Sequence, residues 1–167
     1  MVKRLTIGQK VVHSQYGAGI VVDVREGAES EEHGRYYVID IPSAALKVHV
    51  PVDALDQVNL RRISSKRTVY RALATLSKEA TDLPKDYRER RALVQQSISD
   101  GRIHDLARIV RDLCALQTVK KSMSTMELSL LTDARRRLAG ELALVSDIDL
   151  DEAAQGIESA LHKTKAE

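Results

Sequence analysis

The hydrophobic period of this chain changes once, near Ser64, and that change restricts its fold more than any other feature. Upstream, Leu46-Lys47-Val48-His49-Val50 alternates, with three apolar residues on one side and Lys47 and His49 on the other. That is the two-residue repeat of a half-buried strand. Lys10-Val11-Val12-His13, Ile20-Val21-Val22-Asp23-Val24 and Tyr36-Tyr37-Val38-Ile39-Asp40-Ile41 are short runs rich in β-branched residues, the composition strands prefer. Tyr16-Gly17-Ala18-Gly19 reads as a tight turn and Pro42-Ser43 as a break. Arg25 to Gly34, with two glycines and four glutamates, reads as an exposed hairpin loop. Four or five short strands joined by tight links predict a small, curled antiparallel barrel.

Downstream, apolar residues recur at spacings of three and four. Val69, Leu73, Leu76 and Ala80 follow Ser64 or Ser65 as an N-cap. Tyr87, Val94 and Ile98 follow Pro84 and end at Asp100-Gly101. Ile103, Leu106, Val110, Leu113 and Gln117 form the next stripe. Ser124-Thr125-Met126-Glu127 has the spacing of a capping box and opens a long segment carrying Leu128, Leu131, Leu138, Leu142 and Val145. Asp149-Leu150-Asp151-Glu152 starts a last helix with Ile157 and Leu161. The predicted class is therefore α+β, with a β domain over residues 1–63 and an all-helical domain of about five helices over 64–167.

At 167 residues, two such domains are each small. With 26 Lys and Arg against 24 Asp and Glu, the formal charge is +2. That excludes a histone-like polycation but not a local basic patch. The single Cys114 excludes an internal disulfide framework or a cysteine-rich zinc module. It fits a reducing compartment, and a cytoplasmic protein is the expectation. No apolar run approaches the length of a membrane span. The absence of Trp and Phe argues against a broad base-stacking surface.

Catalytic signals are sparse. His13, His33, His49, His104 and His162 lack zinc-motif spacing. The glycines at 17 and 19 lack a phosphate-loop lysine, so turn geometry explains them. Cys114 lies beside an apolar stripe and reads as a small buried hydrophobe. Glu29, Glu31 and Glu32 read as a solvated face, and Asp147, Asp149, Asp151 and Glu152 as helix caps rather than a calcium loop. The cations say more. Lys47, Arg61, Arg62, Lys66, Arg67 and Arg71 form one group, Lys85, Arg88, Arg90 and Arg91 a second, and Arg102, Arg108 and Arg111 a third. Arg135-Arg136-Arg137 lie in the long helix, about 100° apart in direction. These groups either contact phosphates without reading bases or form solvated, ion-paired helix faces. Both readings stand at this point.

The order of segments resembles the bacterial CarD/CdnL-type transcription regulators. The opening Leu5-Thr6-Ile7-Gly8-Gln9-Lys10-Val11-Val12 with Tyr16-Gly17-Ala18-Gly19-Ile20-Val21 carries the resemblance first. It continues through Tyr36 to Ile41, Leu46-Lys47-Val48-His49-Val50-Pro51 and Leu60-Arg61-Arg62. In the helical part it rests on Arg108-Ile109-Val110-Arg111-Asp112-Leu113 and Ala139-Gly140-Glu141-Leu142-Ala143-Leu144. The resemblance implies a Tudor-like N-terminal domain that binds the β subunit of RNA polymerase, like the polymerase-binding module of transcription-repair coupling factors. It also implies a helical domain placed near upstream promoter DNA, the two together stabilising the open promoter complex.

Carried onto these positions, the resemblance makes Leu46 to Val50 and the adjoining hairpins the polymerase-facing edge, with Lys47, His49, Arg25 and Pro51 as contacts. His49 stands where related sequences carry an arginine, and it lacks that residue's permanent charge and forked donors. Tyr87 stands where family members carry a tryptophan that wedges at the upstream edge of the melted bubble. Lys85, Arg88, Arg90 and Arg91 are the DNA-binding candidates beside it. Either the Tyr87 ring stacks at the fork, or it packs on the helical core and exposes only its hydroxyl. Asp86 and Glu89 oppose DNA.

The expected function is a non-enzymatic transcription regulator without cofactor or metal, acting on polymerase and promoter DNA. The alternative is a polymerase-binding adaptor or stress regulator without fork-wedge activity, and a more distant one is a general DNA-binding protein. A monomer is the default, with self-association through the Leu-rich long helix as the other reading.

Overall fold

The structure, a computed structural model, describes residues 4–27, 34–119 and 123–163. The centre of the expected glutamate-rich loop, with Glu29, Glu31, Glu32 and His33, lies outside the described residues. Five strands come first: β1 (Lys10–His13), β2 (Gly17–Glu26), β3 (Arg35–Ile41), β4 (Leu46–Pro51) and β5 (Leu60–Arg62). They form one antiparallel sheet in the order β4-β3-β2-β1-β5. Val50 of one edge strand and Leu60 of the other share a core with Val11, Val21, Tyr37, Ile39 and Ile41. The sheet therefore curls so that both edges close over a single interior, as the alternating segments predicted.

Two local expectations are corrected. Gly17-Ala18-Gly19 is already strand, and the turn is Ser14–Tyr16, with Gly17 at φ +102° where the chain swings into β2. Gly19 faces the interior, where a Cβ would lie 2.6 Å from the Asp40 carbonyl and 2.8 Å from Ile39, so close strand packing requires glycine there. Arg25 and Glu26, expected in the loop, are the last paired residues of β2, opposite Tyr36 and Arg35. The β2–β3 register shifts between Val21 and Asp23, leaving Val22 as the extra residue of a bulge.

The helices are α1 (Lys66–Leu76), α2 (Tyr87–Asp100), α3 (Ile103–Val119), α4 (Thr125–Ser146) and α5 (Leu150–Lys163). Their starts follow the capping residues. The Ser65 hydroxyl accepts from Thr68 N–H, Asp86 accepts from Arg88 and Glu89 N–H, and Ser124 with Glu127 forms the complete capping box. Gly101, left-handed at φ +62°, ends α2. Val69, Leu76, Val94, Ile98, Leu106, Leu113, Leu138 and Ile157 are among the residues of one helical core.

The sheet and the helices meet along α4. Glu141 is 1% exposed; its two oxygens accept from Arg61 at 2.8 and 2.6 Å, and one also accepts from Ser64 N–H at 2.9 Å. Arg61 donates as well to the Gly101 carbonyl at 2.7 Å, so β5, the end of α2 and the middle of α4 are joined by one charge pair. One turn earlier, Arg136 donates to the Tyr16 carbonyl at 2.9 Å and Arg137 to the Ser14 carbonyl, while Asp133 accepts from both arginines. Lys10 reaches the Leu144 carbonyl at 2.6 Å and Asp147 at 2.7 Å. Gly140 lies so close to Ser43 that a Cβ would fall 2.6 Å from its hydroxyl.

Breaking a buried pair leaves an uncompensated charge, which commonly costs about 3–5 kcal/mol. Arg61 retains some water contact, so Glu141→Gln should destabilise the chain by about 2–3 kcal/mol in urea unfolding. A loss below about 0.5 kcal/mol would show that the seam is held elsewhere.

His13 supplies a second test. Its Nδ1 accepts from Gln15 N–H at 3.1 Å, which requires the unprotonated nitrogen, and its ring lies 4.8 Å from that of Tyr16. Burial first, and the charge of Arg137 second, hold its pKa below the ordinary 6.5. Between the lowered pKa and 6.5 the unfolded chain binds the proton and the folded chain does not. Stability is therefore full above 6.5, falls as pH drops through that window, and levels off below the folded pKa. In His13→Asn, whose side-chain carbonyl can replace the Nδ1 acceptor, the thermal midpoint should fall less than in wild type over this range.

Candidate nucleic-acid and protein interfaces

Strand β4 is an edge of the sheet: its ladder to β3 fills one side, and no described strand pairs with the other. The alternation of side chains then decides what that edge presents. Val48 and Val50 turn to the β core, whereas Lys47 and His49 are exposed. Opposite residues across a sheet share a face, so the register sets out three rows. Ile20, Asp40 and Lys47 make one row; Asp23, Val38 and His49 the next; Arg25, Tyr36 and Pro51 the third. Lys47, His49, Pro51 and Arg25 thus lie together on one outward face. Within it Arg25 donates to Asp23 at 2.9 Å. That bond, then Val24 N–H and more weakly the charges of Arg25 and Lys47, outweigh desolvation and hold the Asp23 carboxyl below its usual range. The face is a mixed-charge tile with an open backbone edge beside it. Proline at position 51 is compatible with an edge strand.

The other cluster lies at the start of α2. Tyr87 is the first helical residue, 38% exposed and outside the apolar core cluster. Its ring sits above the Arg90 guanidinium, 5.8 Å from the centroid. Lys85, Arg88 and Arg91 are exposed, with no ion-pair partner among the described residues.

Arg90 is not part of that surface. It is 3% exposed, with Nε on Glu127 at 2.7 Å and Nη1 on the Pro84 and Lys85 carbonyls at 2.7 and 3.0 Å. It fastens the turn before α2 to the capped start of α4 and supports the Tyr87 ring from beneath. Burial raises the Glu127 pKa, but hydrogen bonds from Ser124 and Arg90 outweigh it and leave the carboxyl below its usual range. The pair is therefore charged at neutral pH.

Other sequence candidates are also engaged by partners within the fold, Arg108 while still exposed. Arg136 and Arg137 belong to the seam, while Arg135 reaches Glu158 at 3.1 Å and the Cys114 sulfur at 2.9 Å. Arg111 bonds Asp112 and Thr81, and Arg108 pairs with Asp105. The pairs of Arg108 with Asp105 and of Arg136 and Arg137 with Asp133 have the three- and four-residue spacing of one helix face. No linear pattern signals Glu158, Cys114, Thr81 or the Tyr16 and Ser14 carbonyls, which come from distant parts of the chain. Among the described residues no three His, Cys, Asp or Glu side chains assemble to hold a metal ion, and no helix is long and apolar enough to cross a membrane.

Comparison with known proteins matches both halves in order. The CarD-like/TRCF RID domain family matches residues 5–64, and the CarD C-terminal domain family matches residues 71–158. A curated relative is the Bacillus subtilis (strain 168) protein named "Putative transcription factor YdeB". It is 25% identical over 142 residues, covering 85% of this chain and 92% of the relative. The β sheet with its open edge, the five helices behind it and both family matches agree: this chain belongs to the CarD family of transcription regulators.

Proposed function

We propose that this regulator docks on the β subunit of RNA polymerase through β4 and holds upstream promoter DNA with the start of α2, so stabilising the open promoter complex. The observation that carries the docking half is the open edge of β4 beside the row Lys47, His49 and Pro51, in the segment that matches the CarD-like/TRCF RID family. An exposed edge accepts a strand from a partner, with backbone bonds giving affinity and outward side chains giving selectivity. For DNA, Lys85, Arg88 and Arg91 offer charge to phosphates, and Tyr87 offers a half-exposed ring on a fixed support. A ring that stacks on a base of the melted fork but not on closed duplex binds the open state preferentially. Only such differential affinity shifts the opening equilibrium.

A narrower reading is an adaptor that binds polymerase without acting at the fork. Asp86 and Glu89, on either side of Tyr87, favour it by repelling phosphates. Two experiments separate these readings. Lys47→Glu with His49→Glu should abolish capture of a purified polymerase β-lobe fragment by the full chain, and undiminished capture would remove β4 from the interface. With polymerase binding intact, Tyr87→Ala should shorten open-complex lifetime roughly fivefold, the equivalent of about 1 kcal/mol of base stacking. An unchanged lifetime in an abortive-initiation assay leaves the adaptor.

A further inference from the structure

Residues 57–78 contain no carboxylate but six cations, Arg61, Arg62, Lys66, Arg67, Arg71 and Lys78, in a chain whose formal charge is only +2. The fold divides them. Arg61 is engaged by Glu141. Asp147, whose carboxyl is lowered chiefly by Lys10, also feels Lys66. Arg62, Arg67, Arg71 and Lys78 are exposed, with no ion-pair partner among the described residues.

Helix α1 turns Val69, Ala72 and Leu76 to the core. At about 100° per residue, Arg67, Tyr70, Arg71 and Ala74 fall on the opposite side, and all four are exposed. Tyr70 is 60% exposed, more than Tyr87. The charge also opposes the helix's own stability. Helices α2 to α5 each place an acidic residue in the first turn, where the helix dipole favours it. Helix α1 has none there and begins Lys66-Arg67. A cation at that end is unfavourable for the isolated helix, and an anion laid against the strip removes the conflict.

We propose that the outward face of α1, Arg67, Tyr70 and Arg71 flanked by Arg62 and Lys78, is a second contact for the phosphate backbone of duplex DNA, separate from the start of α2. Arg67 and Arg71 are one turn apart, about 6 Å along the axis, close to two steps of about 3.4 Å along one DNA strand. Uncommitted guanidiniums suit phosphate oxygens, the Tyr70 hydroxyl can donate to another, and the small Ala74 side chain leaves room for a backbone to approach. An acidic protein is less well matched, because an apolar anchor cluster of the kind that fixes protein interfaces does not accompany the charge. The two DNA contacts have different supports: α1 rests chiefly on α3 and α5, and α2 on α3 and α4.

This inference rests on the DNA half of the proposed function, and the test separates the two. Affinity of the full chain for a short, fully paired duplex and for a forked one is measured by fluorescence anisotropy over a range of salt. Arg67→Gln with Arg71→Gln keeps good helix formers at exposed positions and should weaken binding to both DNAs. The slope of log affinity against log salt should flatten by about 1.8, or about 0.9 per phosphate contact, and the Arg→Lys pair should restore most of it. Lys85→Gln with Arg88→Gln should weaken forked binding by a separate increment. A double glutamine variant with wild-type slope and wild-type helical content would overturn the strip alone, provided the α2 variant still loses affinity. If wild type binds neither DNA, the strip and the DNA half of the proposed function both fall. If the strip variant retains DNA affinity but loses polymerase, the face is a protein contact and the inference is wrong.

Discussion

The Glu141 carboxylate is the interaction on which the rest of this structure depends. It accepts from both arms of Arg61 and from Ser64 N–H, so it holds the chain at the passage from sheet to helix. Because Arg61 also grips the Gly101 carbonyl, a single pair sets β5, α2 and α4 in mutual register. Apolar contact alone is non-directional and would allow a curled sheet and a helix to slide. A bidentate arginine and carboxylate allow one geometry. Gly140, with no side chain to hold Ser43 away, lets α4 come close enough for that geometry to form.

The functional consequence concerns distance. The outward tile of β4 and the start of α2 lie on opposite sides of this seam in the chain, and neither is large. When two weak sites share one rigid body, binding at the first raises the effective concentration at the second. That gain survives only if their separation and angle match the target. His49 and Tyr87 are smaller than the arginine and tryptophan that the family resemblance places there. On the proposed reading, a fixed seam compensates for modest contacts at each end, and a loosened one reduces opening activity without touching either contact.

The strand and helix pattern was legible because burial imposes a period. In Leu46 to Val50 the two-residue alternation assigned Lys47 and His49 to the outward face before any register was known, and the β3 pairing places them there. The Ser124 and Glu127 spacing gave the start of α4 because a capping box is a purely local arrangement. What was not legible was the destination of individual arginines. Arg90 sits three positions beyond Tyr87, among exposed cations, and nothing in the neighbouring sequence points to Glu127 across the bundle. Arg135, Arg136 and Arg137 look alike in sequence yet meet Glu158, the Tyr16 carbonyl and the Ser14 carbonyl. The difference comes from tertiary packing, which a local period does not encode. Arg25 was misplaced for a related reason: a strand in a hairpin extends as far as its partner pairs with it, and polar composition does not mark that end.

On the proposed reading, the sorting of arginines also limits how DNA can be held. A cation already satisfied inside the fold releases no counterions from a phosphate backbone, so Arg61, Arg90, Arg111, Arg136 and Arg137 contribute nothing to affinity there. Among the described residues of the helical part, the exposed cations left over include a short group before and within α2, Arg102 ahead of α3, and the acid-free face of α1. Electrostatic affinity from so few contacts is modest and easily screened at physiological salt. On the proposed reading, free duplex is held only weakly and in a salt-sensitive way. On the same reading the regulator acts where a tethered complex has already brought the duplex beside it, and there a few phosphate contacts and one supported ring need only favour the open state over the closed one.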